Sequence, residues 1–255
     1  MAILQEYHRP GSVDEAVKLL ARSEVHLVPL SGGTLLVGQL ETRTVPGVTG
    51  VVDLRDAGLD KIYQQGDTVS VGAMSTLSSV AAHPVLSELA DGLLKKAAHG
   101  EGPLNLRNAA TVGGVVACAE YDSEFYAALL ALDAAVTMRS RDGASRTSPL
   151  REFSTGGNLI TEVTLSTSKR HGGTARIART PSDRPIVAAY AAAPFDDREQ
   201  PDVALCGVAP RPVMAGEPLN PPDDFKGSAE YRLAMSEIVL QRAMAQLEKA
   251  RSHVG

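Results

Sequence analysis

Cysteine is scarce. Only Cys118 and Cys206 occur among the 255 residues, far apart and without a CxxC spacing, which excludes a disulfide framework and a self-contained zinc or iron–sulfur site. Both read as small, buried apolar residues. An excess of positive charge is also missing: 25 Lys and Arg stand against 30 Asp and Glu, a formal net charge of −5. That balance gives no electrostatic footprint for nucleic acid or an anionic membrane. No apolar run approaches the length of a membrane span, and Gln5, Glu6, His8, Arg9, Asp14 and Glu15 leave no room for a secretory h-region in the first twenty residues. A cytoplasmic protein is expected. The dinucleotide pattern GxGxxG, the phosphate loop GxxxxGK[ST], the GxSxG elbow and the HExxH helix are all absent. The six histidines are scattered and read as surface or structural residues.

What is present is ordinary globular material, 44% hydrophobic and 22% charged, enough for one large or two compact units. Ser12 to Glu15 form a capping box for a short helix, and VHLVPL (25–30) and VTGVVDL (48–54) read as buried strands. Gly66-Asp67 turns a hairpin between KIYQQ and TVSVGA. Helices are expected over 75–83, over 84–99 closed by Gly100, and over 122–134 with Asp122 as cap. AAVTMRS and the RDG turn begin another hairpin, NLITEVTLS (158–166) is expected to pair with TARIAR (174–179) across KRHGG, and VALCGVA (203–209) is a third strand. Five prolines within 210–227 mark a linker before an amphipathic helix over 228–250, with Tyr231, Met235, Ile238, Val239 and Met244 near one face. Strands with hairpins and interspersed helices predict an α+β fold.

Two stretches share one grammar. VPLSGGTLL places Ser31 and Thr34 around Gly32 and Gly33, and RNAATVGGVVA places Thr111 before Gly113 and Gly114. A Gly-Gly step accepts positive φ and has no Cβ, so consecutive N–H groups can converge on an anion, a phosphate above all. Each charge-assisted bond contributes about 1.5–3 kcal/mol, whereas nanomolar retention needs about 12 kcal/mol, so several contacts and a buried ring must act together. Gly156-Gly157 and Gly172-Gly173 show that a single pair has little specificity, and the latter reads as a plain hairpin turn.

In order and spacing, LSGGTLLVGQL, VDLRDAGLDKI, VSVGAMSTLSSVAAHPVL, LRNAATVGGVVACA and FYAALLALDAAV resemble the FAD-binding medium subunit of the molybdenum hydroxylase family, which includes carbon monoxide and xanthine dehydrogenases. ALCGVAPRPV and GSAEYRLAMSEIVLQRAM are similar to the C-terminal domain of those subunits. The resemblance implies a two-subdomain FAD-binding domain of the p-cresol methylhydroxylase and vanillyl-alcohol oxidase type over 1–157, with subdomains of about 1–55 and 56–157. A small antiparallel sheet plus helix over 158–255 follows as the C-terminal domain. It implies that both glycine loops, Ser31 to Leu35 and Thr111 to Val115, hold the FAD pyrophosphate, that Gly72-Ala73 lies near the cofactor, and that Glu124 takes the place of a cofactor-contacting aspartate. Leu159, Ile160 and the TARIAR strand would pack near the flavin ring. Leu35 and Val115 stand where polar residues are usual, and AEYDSE (119–124) replaces small residues with proline.

The implied role is electron transfer from the iron–sulfur clusters of a partner through FAD to an acceptor, with no catalytic acid or base on this chain. Molybdopterin and [2Fe–2S] clusters would sit on a large and a small partner subunit, in a dimer of heterotrimers. Two other readings stand beside it: a structural subunit that has lost FAD, and a stand-alone flavin oxidase.

Overall fold

The structure is a computed structural model that describes residues 4–168, 170–194 and 200–252. Its first sheet is parallel, in the order β1-β3-β2, from β1 (Glu6–His8), β2 (Leu27–Leu30) and β3 (Gly50–Asp53). Helix α1 (Val13–Leu20) follows β1, capped by the Ser12 hydroxyl, which accepts from the Glu15 N–H at 3.2 Å. Ala16 and Val17 carry the buried face of α1 into a small core with Leu27, Val52 and Leu54. Helix α2 (Leu36–Thr42), about two turns that apolar periodicity did not announce, follows the end of β2.

The second sheet is antiparallel, in the order β4-β5-β8-β6-β7, from β4 (Ile62–Gln65), β5 (Thr68–Gly72), β6 (Ala135–Arg139), β7 (Ser145–Pro149) and β8 (Leu159–Ser166). The expected β4–β5 and β6–β7 hairpins are both present. Strand β8, expected with the C-terminal segment, instead sits at the centre of this sheet, paired from Thr68↔Ser166 to Gly72↔Glu162 on one side and with β6 on the other. Residues 158–166 therefore belong with the sheet of 56–157. Alternation marks a strand, but it does not say which sheet receives it. Between β5 and β6 run α3 (Leu77–Ala82), α4 (Pro84–Glu88), α5 (Leu93–Gly100), α6 (Leu104–Ala109), α7 (Val112–Cys118) and α8 (Glu124–Ala131). The single helix expected over 84–99 is two, because Ala90, Asp91 and Gly92 all take positive φ. Helix α8 is capped by Ser123 rather than Asp122.

The third sheet, in the order β12-β11-β10-β9, contains β9 (Arg170–Ile177), β10 (Val187–Pro194), β11 (Asp202–Cys206) and β12 (Val213–Met214). Strand β9 pairs with β10, not with β8. Gly172-Gly173 is no hairpin turn: both glycines lie inside β9, where a Cβ would meet the Ala90 carbonyl oxygen at 2.0 Å and the Ala243 carbonyl oxygen at 2.1 Å. The pair is there because backbone presses on backbone from both faces of the strand. The same crowding explains the alanines of β10. Ala188, Tyr190 and Ala192 join one core, which includes α8, while Val187, Ala189, Ala191 and Ala193 join another, under α9 (Ala229–Ser252). The buried face of α9 runs through Arg232, Ser236, Val239, Ala243 and Leu247, displaced from the expected one: Tyr231 is 41% exposed.

Candidate flavin site

The two serine- and threonine-flanked glycine loops meet on one cavity of about 280 Å³, which Leu159 and Ile160 of β8 close from another side. In the first loop β2 ends at Leu30, Gly33 takes φ +70°, and α2 begins at Leu36. The amide N–H groups of Gly32, Gly33, Thr34 and Leu35 donate to no acceptor among the described residues. These are the unspent donors of an anion-binding nest. Gly32 has no room for a side chain, since a Cβ would lie 1.8 Å from the Ala109 carbonyl oxygen.

The second loop is built differently, which corrects the expectation of two like nests. Neither Gly113 nor Gly114 takes positive φ. Thr111 caps α7, its Oγ1 accepting from the Gly114 N–H at 3.1 Å. Val112 N–H donates to the Ser75 carbonyl at 2.9 Å, Gly113 N–H to the Ala73 carbonyl at 2.8 Å, and Val115 N–H to the Thr111 carbonyl at 3.0 Å. All four amides are thus spent inside the protein. The glycines serve contact instead. A Cβ at Gly113 would lie 2.6 Å from that of Ala73, and one at Gly114 would stand 3.0 Å from Thr111 Oγ1 and 3.1 Å from Ser31 Oγ. Gly114 is therefore where the two loops face each other across the cavity wall.

Of the residues expected at the site, Ser31, Gly32, Gly33, Thr34, Leu35, Ala73, Thr111, Gly113, Gly114, Val115, Leu159 and Ile160 line the cavity, and Gly72 and Glu124 do not. Gly72 is a packing glycine, its missing Cβ leaving space for the Leu59 carbonyl oxygen, which would be 2.2 Å away. Glu124 is 1% exposed in the first turn of α8; its Oε2 accepts from the Tyr190 hydroxyl at 2.5 Å and its Oε1 lies 3.0 Å from Arg176. Burial pushes its pKa up, against the hydrogen bond from Tyr190 and the charge of Arg176. Arg176 spends its other contacts on the Pro181 and Asp183 carbonyls, so the TARIAR strand braces the β9–β10 connection rather than lining the cavity.

In place of Glu124 the structure brings Glu101, Glu120, Ser123 and Arg184 to the wall. Glu101 Oε1 accepts from the Ser123 hydroxyl at 2.5 Å and from the Phe125 N–H at 2.8 Å, closing the N-terminus of α8. Arg184, from the β9–β10 connection, reaches Glu101 at 2.6 Å, Glu120 at 2.7 Å and Asp122 at 3.0 Å. Burial works against the charge on Arg184, and the carboxylates of Glu101, Asp122 and Glu120 overcome it, raising its pKa. The AEYDSE segment held the signal for this cluster in its carboxylates at 120 and 122; nothing local to residue 184 pointed to it. Cys118, expected to be buried, is exposed and also lines the cavity.

Residues 3–166 match the family described as the FAD binding domain in molybdopterin dehydrogenase. The chain belongs to this family. It is similar to the carbon monoxide dehydrogenase medium chain of Afipia carboxidovorans, 27% identical over 94% of this chain and 95% of that one. It is also similar to the alpha subunit of the 6-hydroxypseudooxynicotine dehydrogenase complex of Paenarthrobacter nicotinovorans, 27% identical over 96% and 95%. In fold it matches a chain of reconstituted CO dehydrogenase from Oligotropha carboxidovorans with a TM-score of 0.87, at 24% identity, over 98% of this chain and 99% of that chain. The protein is thus an FAD-binding medium subunit of the molybdenum hydroxylase type, and a subunit of an oxidoreductase. FAD is its cofactor. The residues present suit that cofactor: four free amides for phosphate oxygens, glycine surfaces that admit close approach, and an apolar wall of Leu54, Met74, Leu159 and Ile160 for a ring system. Among the described residues no helix is long and apolar enough to cross a membrane.

Proposed function

We propose that this chain is an electron relay, receiving electrons from iron–sulfur clusters on a small partner subunit, fed in turn by a large molybdopterin subunit, and delivering them to an acceptor. Bound FAD supplies the redox chemistry, since a flavin can take up and release electrons. The protein's part is to hold and insulate it. The Gly32 to Leu35 amides bind the pyrophosphate, Gly113 and Gly114 let the ligand lie against the start of α7, and Leu159 and Ile160 exclude water from the ring. The observation that carries this reading is that the described residues lining the cavity include no His, Tyr or Lys: the pKa of the Cys118 thiol is raised by partial burial and by Glu120, and the two glutamates are both paired with Arg184. A flavin oxidase acting on its own substrate needs a base poised near the working pH. We place the chain in a cytoplasmic dimer of heterotrimers.

The test is to mix the purified flavoprotein with its reduced iron–sulfur partner and follow flavin bleaching. Bleaching on mixing, without substrate turnover by the isolated chain, is the expected result. Rapid oxidation of an alcohol or phenol by the isolated chain with oxygen would replace the relay with an oxidase. A second reading, a bridging subunit without flavin, draws on the apolar Leu35 and Val115 side chains in the cavity and on the spent amides of the second loop. A colourless protein that takes up no FAD would favour it.

A further inference from the structure

We propose that one ion cluster on the cavity wall, Arg184 set against Glu101, Glu120 and Asp122, governs how tightly this chain holds FAD and how readily the bound ring accepts electrons. The inference rests on FAD occupying the cavity as described above. Arg184 is the one cationic side chain on the wall among the described residues, and Glu101 and Glu120 are the anionic ones. The ligand is itself an anion through its pyrophosphate, and reduction adds negative charge to its ring. Charge near that ring is one of the levers by which a protein tunes a flavin.

The cluster does not balance. Three carboxylates meet Arg184, and Lys226 adds one more cation through Asp122 Oδ2 at 2.7 Å, so three negative charges stand against two positive and the sum is −1. Glu101 has a second task at the cap of α8, and Asp122 has Lys226. Among the described residues Glu120 has Arg184 alone, and its side chain is 40% exposed. It is the surplus charge. Arg184 Nε is buried and meets no acceptor among the described residues, which leaves it as a donor for a ligand oxygen. Removing Arg184 or Glu120 deletes the same ion pair but changes the field at the ligand in opposite directions.

That opposition is the test. The full chain is stripped of flavin and titrated with FAD by fluorescence, and the potential of the reloaded protein is measured. Arg184→Gln is expected to weaken FAD binding by about tenfold or more and to make the ring harder to reduce, while Glu120→Gln tightens binding about three- to tenfold and makes reduction easier. Arg184→Lys, which keeps the charge, regains part of the lost affinity even if Arg184→Gln folds poorly. Weaker binding in both neutral variants, or no change in either, overturns the proposal, because a merely structural ion pair moves both the same way. A parent chain that takes up no FAD at all overturns the functional reading and the proposal with it, and is told apart from the first failure by that parent titration.

Discussion

The loops at 31–35 and 111–115 are near copies in sequence and opposites in structure. Each has a hydroxyl residue and two glycines, yet the first leaves the four amides of 32–35 without partners among the described residues and holds Gly33 at φ +70°, while the second folds its glycines into α7 and spends the four amides of 112–115 on Thr111, Ala73 and Ser75. The surroundings of each loop make the difference. Strand β2 ends against open cavity, so no described residue accepts from the amides of 32–35. Residues 73–76 run alongside 111–113, joined by the Thr76–Thr111 bridge, and supply carbonyls to the second loop at hydrogen-bond distance. A glycine pair is thus a permission to come close, and the neighbour decides whether a ligand or a carbonyl uses it.

The comparison can be broken hardest at Gly32. Gly32→Val must displace the Ala109 carbonyl, and unfolding in urea is expected to show a loss of about 3 kcal/mol or more, together with loss of flavin. Stability equal to the parent would mean that the two loops are not packed as described. Next comes Thr111→Ala, which removes the cap of α7 and is expected to lower stability by about 1 kcal/mol, with little change in FAD affinity, because the Gly114 amide is spent on the cap rather than on a ligand. A large affinity loss without a stability loss would return the second loop to the role of a nest.

Gly33→Ala forces a side chain into left-handed backbone with its Cβ 3.1 Å from Val37, and should also lose about 1 kcal/mol while weakening FAD through the distorted nest. Gly114→Ala is the sharpest contrast. Its backbone is helical and its Cβ would meet only two hydroxyls, so unfolding should show no loss, or a gain of about 0.5–1 kcal/mol, while the methyl group intrudes on the cavity and FAD titration shows weaker binding. Unchanged affinity in that variant would remove Gly114 from the ligand surface. The smallest effect is expected from Leu35→Ser, which restores a polar group beside the free amides and should tighten FAD by about two- to tenfold in the same titration.

Much of this molecule could be read locally. Ser12 capping α1, the Gly66-Asp67 hairpin and the helix after the prolines of 210–227 arise from short-range chemistry and appear where the residues place them. Both glycine stretches do line one cavity. The misreadings share a cause. Gly172-Gly173 was legible as flexibility, but whether that flexibility makes a turn or admits Ala90 and Ala243 depends on chain eighty residues before and seventy after. Glu124 carries the right chemistry for a polar contact, yet the start of α8 turns it toward Tyr190 and Arg176, and Glu120, four residues earlier, reaches the cavity instead.

The residues alone determined the α+β character, the caps and hairpins, and the two loops able to receive a ligand, because each depends on backbone freedom or periodicity within a few positions. Tertiary structure decided which loop keeps its donors, that β8 joins the central sheet, and that Arg184 crosses from the β9–β10 connection to meet Glu101, Glu120 and Asp122. Hydrogen-bond donors and charges are satisfied by whatever partner the fold brings near, and sequence separation places no limit on that partner.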